Sequence, residues 1–169
     1  MSPFEFLQAG CLALFALLLV AAAVQDLRSM RIGNPLPFAA VGLYAVWACA
    51  GMIGGRVAPM HVAIAVGLAL AVFIVGAMGF AAGVVGGGDV KLLGAASLFA
   101  GPDLIVDFLL ITAIVGGVLG LALLAGARIG PSALAQGNVT VRSRLRSSLP
   151  YGPAIAAGGL WTAAALTIS

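Results

Sequence analysis

The chain has 169 residues, of which 63% are hydrophobic and only 8% charged, with a formal net charge of +3. A soluble domain carries about 25% charged residues, so lipid is the solvent for most of this chain, and its class is an all-α, polytopic membrane helix bundle. Long, unbroken apolar runs exclude the short alternating strands of a membrane β-barrel. Basic residues placed at the ends of those runs, with no aromatic interleaving, exclude a nucleic-acid surface.

Six apolar segments follow in chain order. The first covers Phe4 to Val24; no Lys or Arg precedes it and Glu5 stands there instead, so it reads as a retained span and not as a secretory signal with a basic start. The second runs from Leu36 to Ile53 and the third from His61 to Phe80. The fourth starts at Asp89 and ends at Gly101-Pro102, short of the roughly 20 residues that cross a bilayer, which calls for continuation to Ile105 or for a thinned bilayer. The fifth covers Leu104 to Ala125 and the sixth Pro150 to Ile168. Cys11 and Cys49 fall inside spans, without a CxxC pair, and read as small apolar side chains.

Charge orients the bundle. With six spans both termini share one side. The loops of the other side hold Arg28, Arg31, Lys91, Arg128, Arg142, Arg144 and Arg146, against Arg56 alone on the terminal side. The positive-inside rule therefore places both termini on the non-cytoplasmic side. Residues 1–169 read as one integral membrane domain with no linker and no internal repeat.

The same topology sorts the acids. Glu5, Asp103 and Asp107 fall on the outer side, and Asp26 and Asp89 on the cytoplasmic side. A carboxylate at the end of an apolar helix is expensive and marks a functional site by default. Spans one and four end at the same face, so Asp26 in VQDLRSMRIGNP and Asp89 in GVVGGGDVKLLG can meet. Two neighbouring carboxyls share a proton, and one can polarise a carbonyl while the other activates water. Three roles fit the residues alone: an acid pair, helix capping or anchoring, and an ion or proton path. Gly86, Gly87 and Gly88 let a neighbouring backbone come close, although glycines also serve ordinary membrane-helix packing.

GGGDVKLL resembles the second active-site motif of the type IV prepilin peptidases, membrane aspartic peptidases of the GxGD type. Their first motif is an Asp after a span, then basic residues, then Ile-Pro-Asn. DLRSMRIGN is similar at Asp26, Arg28, Arg31, Ile32 and Asn34, and departs at Gly33, with Pro35 following the Asn. PYGPAIAAGG is similar to the family's last-span motif. The resemblance implies a helical bundle with catalytic Asp26 and Asp89 near the cytoplasmic face of a bacterial inner membrane. It also implies an aspartic endopeptidase that removes the basic leader of prepilin-like precursors. Larger members carry a cysteine-rich zinc segment between the first two spans and methylate the new N-terminus; this chain has no cysteine there, so it resembles the short six-span members of tight-adherence (Flp-type) pili, and methyl transfer stays open. Archaeal preflagellin peptidases share both Asp motifs. No metal and no cofactor is called for.

Within that reading Asp89, at a helix start, favours the anion and water activation, and Asp26, at a helix end, favours the neutral acid that hydrogen-bonds the scissile carbonyl; Arg28 and Arg31 act against this asymmetry. Gly86 and Gly88 support the site. Lys91 steadies the Asp89 region or anchors to lipid phosphate, and Asn34 either holds the turn after Asp26 by bonding local backbone or serves as a simple helix-entry residue. The arginines between Arg128 and Leu149 suit anionic lipid. The basic leader finds no acids beyond the pair, so recognition is expected to rest on the substrate's apolar helix lying against the spans. His61 reads as interfacial, and Asn138-Val139-Thr140, a glycosylation pattern in a cytoplasmic loop, carries nothing. The competing functions are a small proton-coupled transporter, which more often shows paired repeats or mid-membrane acids, and a noncatalytic pilus-assembly factor.

Overall fold

α1 (Pro3–Ser29) runs beyond the apolar stretch, so Asp26 lies inside the last helical turn and not after it. The helix stops where Met30 takes a left-handed conformation, φ 52°, with its N–H bonded to the Asp26 carbonyl at 2.8 Å. The computed structural model describes residues 3–125 and 151–168. Arg128, Arg142, Arg144, Arg146, the Asn138-Val139-Thr140 pattern and Pro150 lie outside the described residues.

α2 (Pro35–Ile53) and α3 (Pro59–Ala81) each begin on a proline, which has no N–H to leave unpaired in the first turn. Both end in the same way. Gly55 (φ 70°) follows α2 and Gly83 (φ 73°) follows α3. The next amides, Arg56 and Val84, reach back to the Gly51 and Gly79 carbonyls at 2.8 and 3.0 Å. These are Schellman endings, and the left-handed residue each requires is a glycine.

α4 (Gly87–Leu124) carries a break at Gly101, where φ 54° and ψ −165° are not helical and Pro102 follows. Before the break it lies along α3: a Cβ built on Gly76 would touch Val90, one on Gly94 would touch Phe73, and one on Gly101 would touch His61. After the break it lies along α5 (Gly152–Ile168). There Gly158 sits against the Phe108 carbonyl, and Gly116 against Ala154 and Tyr151.

The described residues thus form an all-helical protein of five helices, of which α1 to α4 are long and apolar enough to cross a membrane, while α5 is shorter at 17 residues. The expected count of about six spans is not met as such, because the fourth and fifth apolar segments form one element broken at Gly101.

The core is aromatic at mid-height. Phe15 of α1 stacks on Phe99 of α4 at 4.0 Å, and Tyr44 of α2 meets the same ring edge-on at 5.3 Å. Leu19, Leu92, Phe108 and Ile155 are fully buried around them. Buried Ser97 and Thr162 satisfy their hydroxyls on the carbonyls one turn back, Leu93 and Gly158. The outward faces carry large apolar side chains such as Phe6, Ile74 and Val106. Exposure of this extent suits lipid and not water. At one end of the bundle Arg56 pairs with Glu5 at 3.1 Å and His61 stands 3.7 Å from Asp103.

Candidate active site

Two helix ends build the site. Asp26, on the last turn of α1, is 3% exposed, and its Oδ2 accepts the Gly152 N–H at 2.8 Å. Gly152 opens α5, and a Cβ there would stand 2.7 Å from the Asp26 Cβ. Only a bare backbone can come this close and still donate to the carboxyl.

Asp89 is the third residue of α4 and is 8% exposed. Its carboxyl reaches back to the N–H of Gly86, the residue that caps the helix. This is the acceptor half of a capping box, so the capping role weighed for Asp89 is part of its geometry. A Cβ on Gly86 would lie 2.5 Å from Asp89 Oδ2, so a side chain there would displace the carboxyl. Asp89 Oδ1 is buried with no hydrogen-bond partner among the described residues. A buried polar atom in this state calls for a partner such as water or a bound molecule.

The two carboxyls lie within electrostatic reach of each other. Two contacts clasp the segments that carry them, and a third braces one of those segments. A Cβ on Gly88 would stand 2.8 Å from the Ile32 carbonyl oxygen, so the glycine lets α4 rest directly on the backbone after Asp26. Lys91 Nζ donates to Asn34 Oδ1 at 2.8 Å. Gln25 Oε1 accepts the Gly33 N–H at 3.2 Å and braces the same turn from α1.

All six residues singled out from the sequence, Asp26, Asn34, Gly86, Gly88, Asp89 and Lys91, come together at this end of the bundle. One role is corrected. Asn34 makes no side-chain cap to local backbone; its oxygen is taken by Lys91, because α4 passes directly over the start of α2. Gln25 and Gly152 were missed. Gly152 lies within PYGPAIAAGG, the stretch already matched to a last-span motif, and Gln25 directly precedes Asp26; neither has a spacing signal that would aim it at the site. Arg28 and Arg31 are exposed.

A multi-pass helical membrane protein with two buried, interacting carboxyls at one end is the class that fold and site define. Residues 13–121 match the type IV leader peptidase family, and the chain belongs to it. Membership makes it a leader-peptidase-like protease and implies prepilins as its substrates. Neither the curated proteins nor the solved structures contain a match to the chain.

Proposed function

We propose that the chain is an aspartic endopeptidase that removes the leader of Flp-like type IV prepilins at the cytoplasmic face of a bacterial inner membrane. Asp26 and Asp89 form its acid pair. The observation that carries this is the meeting of two buried carboxyls, from helices far apart in sequence, at one helix-end cluster.

One carboxyl ionised and one neutral is the state two close buried acids adopt. Asp89 Oδ1, free of other bonds among the described residues, takes a proton from water. The water oxygen forms a bond to the scissile carbonyl carbon. Asp26, steadied through Oδ2 by the Gly152 amide, presents the neutral acid to the carbonyl oxygen and donates its proton to it. The resulting gem-diol then collapses: the C–N bond breaks and the proton held on Asp89 passes to the leaving amine. Asp26 recovers a proton from the diol, and the starting state returns. No covalent intermediate forms.

A six-segment path fits the packing partners of α4. Its residues run away from the acid pair along α3 as far as Gly101, beside His61, and then run beside α5 towards Tyr151, next to Gly152 and Asp26. A chain that turns back at Gly101-Pro102 does this. It puts both termini on the side of Glu5, Arg56 and His61, and the acid pair on the side of Arg28, Arg31 and Lys91, where positive charge marks the cytoplasm.

The test is to co-express the chain with a candidate prepilin and follow leader removal in the wild type and in the Asp26→Asn and Asp89→Asn variants. Wild-type processing with loss in both variants is expected. Processing at the wild-type rate by both variants would remove the acid pair from the reaction.

A further inference from the structure

Asp26 and Asp89 sit on helices whose backbones do not run along each other: α1 lies on α2 and α5, and α4 lies on α2, α3 and α5. At the acid end, the start of α4 rests on the short segment that joins α1 to α2. Ile32 of that segment is buried. A Cβ on Gly88 would stand 2.8 Å from the Ile32 carbonyl oxygen and 3.3 Å from its nitrogen. Gly88 directly precedes Asp89, so the place of Ile32 sets the place of Asp89.

The segment's own backbone does little to fix Ile32. Residues 31–33 have no regular structure. Met30 is left-handed, φ 52°, a conformation unfavourable for a residue with a side chain. Gly33 carries the widest backbone freedom of any residue type.

Residue 25 holds both ends of this stretch. Its backbone carbonyl accepts the Ser29 hydroxyl at 2.8 Å, and the same hydroxyl lies 3.1 Å from the Arg31 carbonyl. Its side-chain Oε1 accepts the Gly33 N–H at 3.2 Å. Gln25 is exposed on an apolar helix, where packing gives no reason for an amide, and the Gly33 bond gives one. Gln25 adjoins Asp26 and Gly88 adjoins Asp89, with Gly33 and Ile32 linking the two.

We propose that Gln25 is a positioning residue of the acid pair: through Gly33 and Ile32 it sets how far Asp26 stands from Asp89, a role that rests on the peptidase reading above. It touches neither water nor substrate. It acts by keeping the Ile32 backbone where Gly88 meets it.

The test is steady-state cleavage of one prepilin by the full chain in membranes. Gln25→Met keeps the side chain's length and suits lipid, but it has no oxygen to accept the Gly33 N–H. It is expected to lower kcat about tenfold, the scale of a small misplacement of catalytic groups. KM is expected to stay within about twofold, because binding is untouched. Gln25→Glu keeps the acceptor, and its charge can pair with Arg28 one turn on; it is expected to recover most of the lost kcat. Gly33→Ala, added to Gln25→Met, removes freedom from the unbraced turn. Gly33 is not left-handed, and its added Cβ would make ordinary contacts, 3.4 Å to Gln25 Nε2 and 3.5 Å to Pro35 Cδ. This double variant is expected to regain part of the loss.

A wild-type kcat in Gln25→Met overturns the positioning role while the peptidase reading stands. A raised KM at unchanged kcat also overturns it, and makes Gln25 a substrate contact. Equal losses in Gln25→Met and Gln25→Glu, with no recovery from Gly33→Ala, overturn it as well. A wild-type chain that leaves the precursor uncut overturns both readings.

Discussion

Lys91 Nζ and Asn34 Oδ1 meet at 2.8 Å, and this bond ties the first turns of α4 to the start of α2 across the segment that follows Asp26. Each partner belongs to one of the two motifs that carry an aspartate. The bond therefore acts as a strut between the two acid-bearing segments.

Asn34→Leu and Lys91→Met are each expected to lower kcat/KM about tenfold, the equivalent of about 1.4 kcal/mol, because the pair is exposed and its bond is worth less than a buried one. The double variant is expected to be little worse than either single one, and Asn34→Asp, which keeps an acceptor, to recover most of the activity. Kinetics on a leader peptide across this double-mutant cycle measure the coupling. Fully additive losses would show that the two side chains act separately.

Asp26→Asn and Asp89→Asn keep shape and volume but remove a titratable carboxyl. Each is expected to slow cleavage by at least about 100-fold, the scale of lost general acid–base catalysis. Far-ultraviolet circular dichroism and thermal midpoint in detergent are expected to change little, which separates a chemical loss from a folding one.

The neighbouring glycines make opposite predictions. Gly88→Ala places a methyl 2.8 Å from the Ile32 carbonyl oxygen, a backbone atom that cannot step aside, whereas Gly87→Ala meets the edge of the Phe80 ring at 3.3 Å. Phe80 is exposed and its ring can rotate away. Gly88→Ala is expected to spread the two aspartate segments and cost about 10- to 100-fold in rate, since small misplacements of catalytic groups cost this much; Gly87→Ala is expected to stay within about twofold. Steady-state cleavage of one substrate by both variants decides it. Gly152→Ala, with its Cβ 2.7 Å from the Asp26 Cβ, is expected to follow Gly88→Ala.

Gly101 combines φ 54° with ψ −165°, a region open almost only to glycine, where other residues cost about 1–3 kcal/mol. Its added Cβ would also stand 3.0 Å from His61 Nε2. Gly101→Ala is expected to lower the thermal midpoint by several degrees, at about 2–4 °C per kcal/mol for a chain of this size. Leader cleavage at a permissive temperature is expected to persist, because the break lies at the opposite end of the bundle from the acids.

Much of the site was legible before the fold. Composition pointed to a membrane helix protein, and cost singled out the acids: a carboxylate at the end of an apolar helix has few reasons to be there other than function. The Gly-Gly-Gly-Asp run pointed to close backbone approach, and Gly88 on Ile32 is that approach. Other contacts were not legible. Asn34 pairs with a lysine from α4, and Gly152 donates to Asp26 from the last helix. Hydrogen bonds between distant segments leave no periodic trace in a sequence, because either partner alone reads as an ordinary turn or cap residue.

The chain's order of residues was enough to set where lipid replaces water, which segments become helices and which two acids stand at helix ends, since these follow from transfer cost and local backbone preference. Packing alone decided that the two acids come within electrostatic reach of each other, that Gln25 braces the turn at Gly33, and that α2 and α3 part to leave a groove. Those outcomes depend on which surfaces fit together in three dimensions, and fit belongs to pairs of helices and not to any one of them.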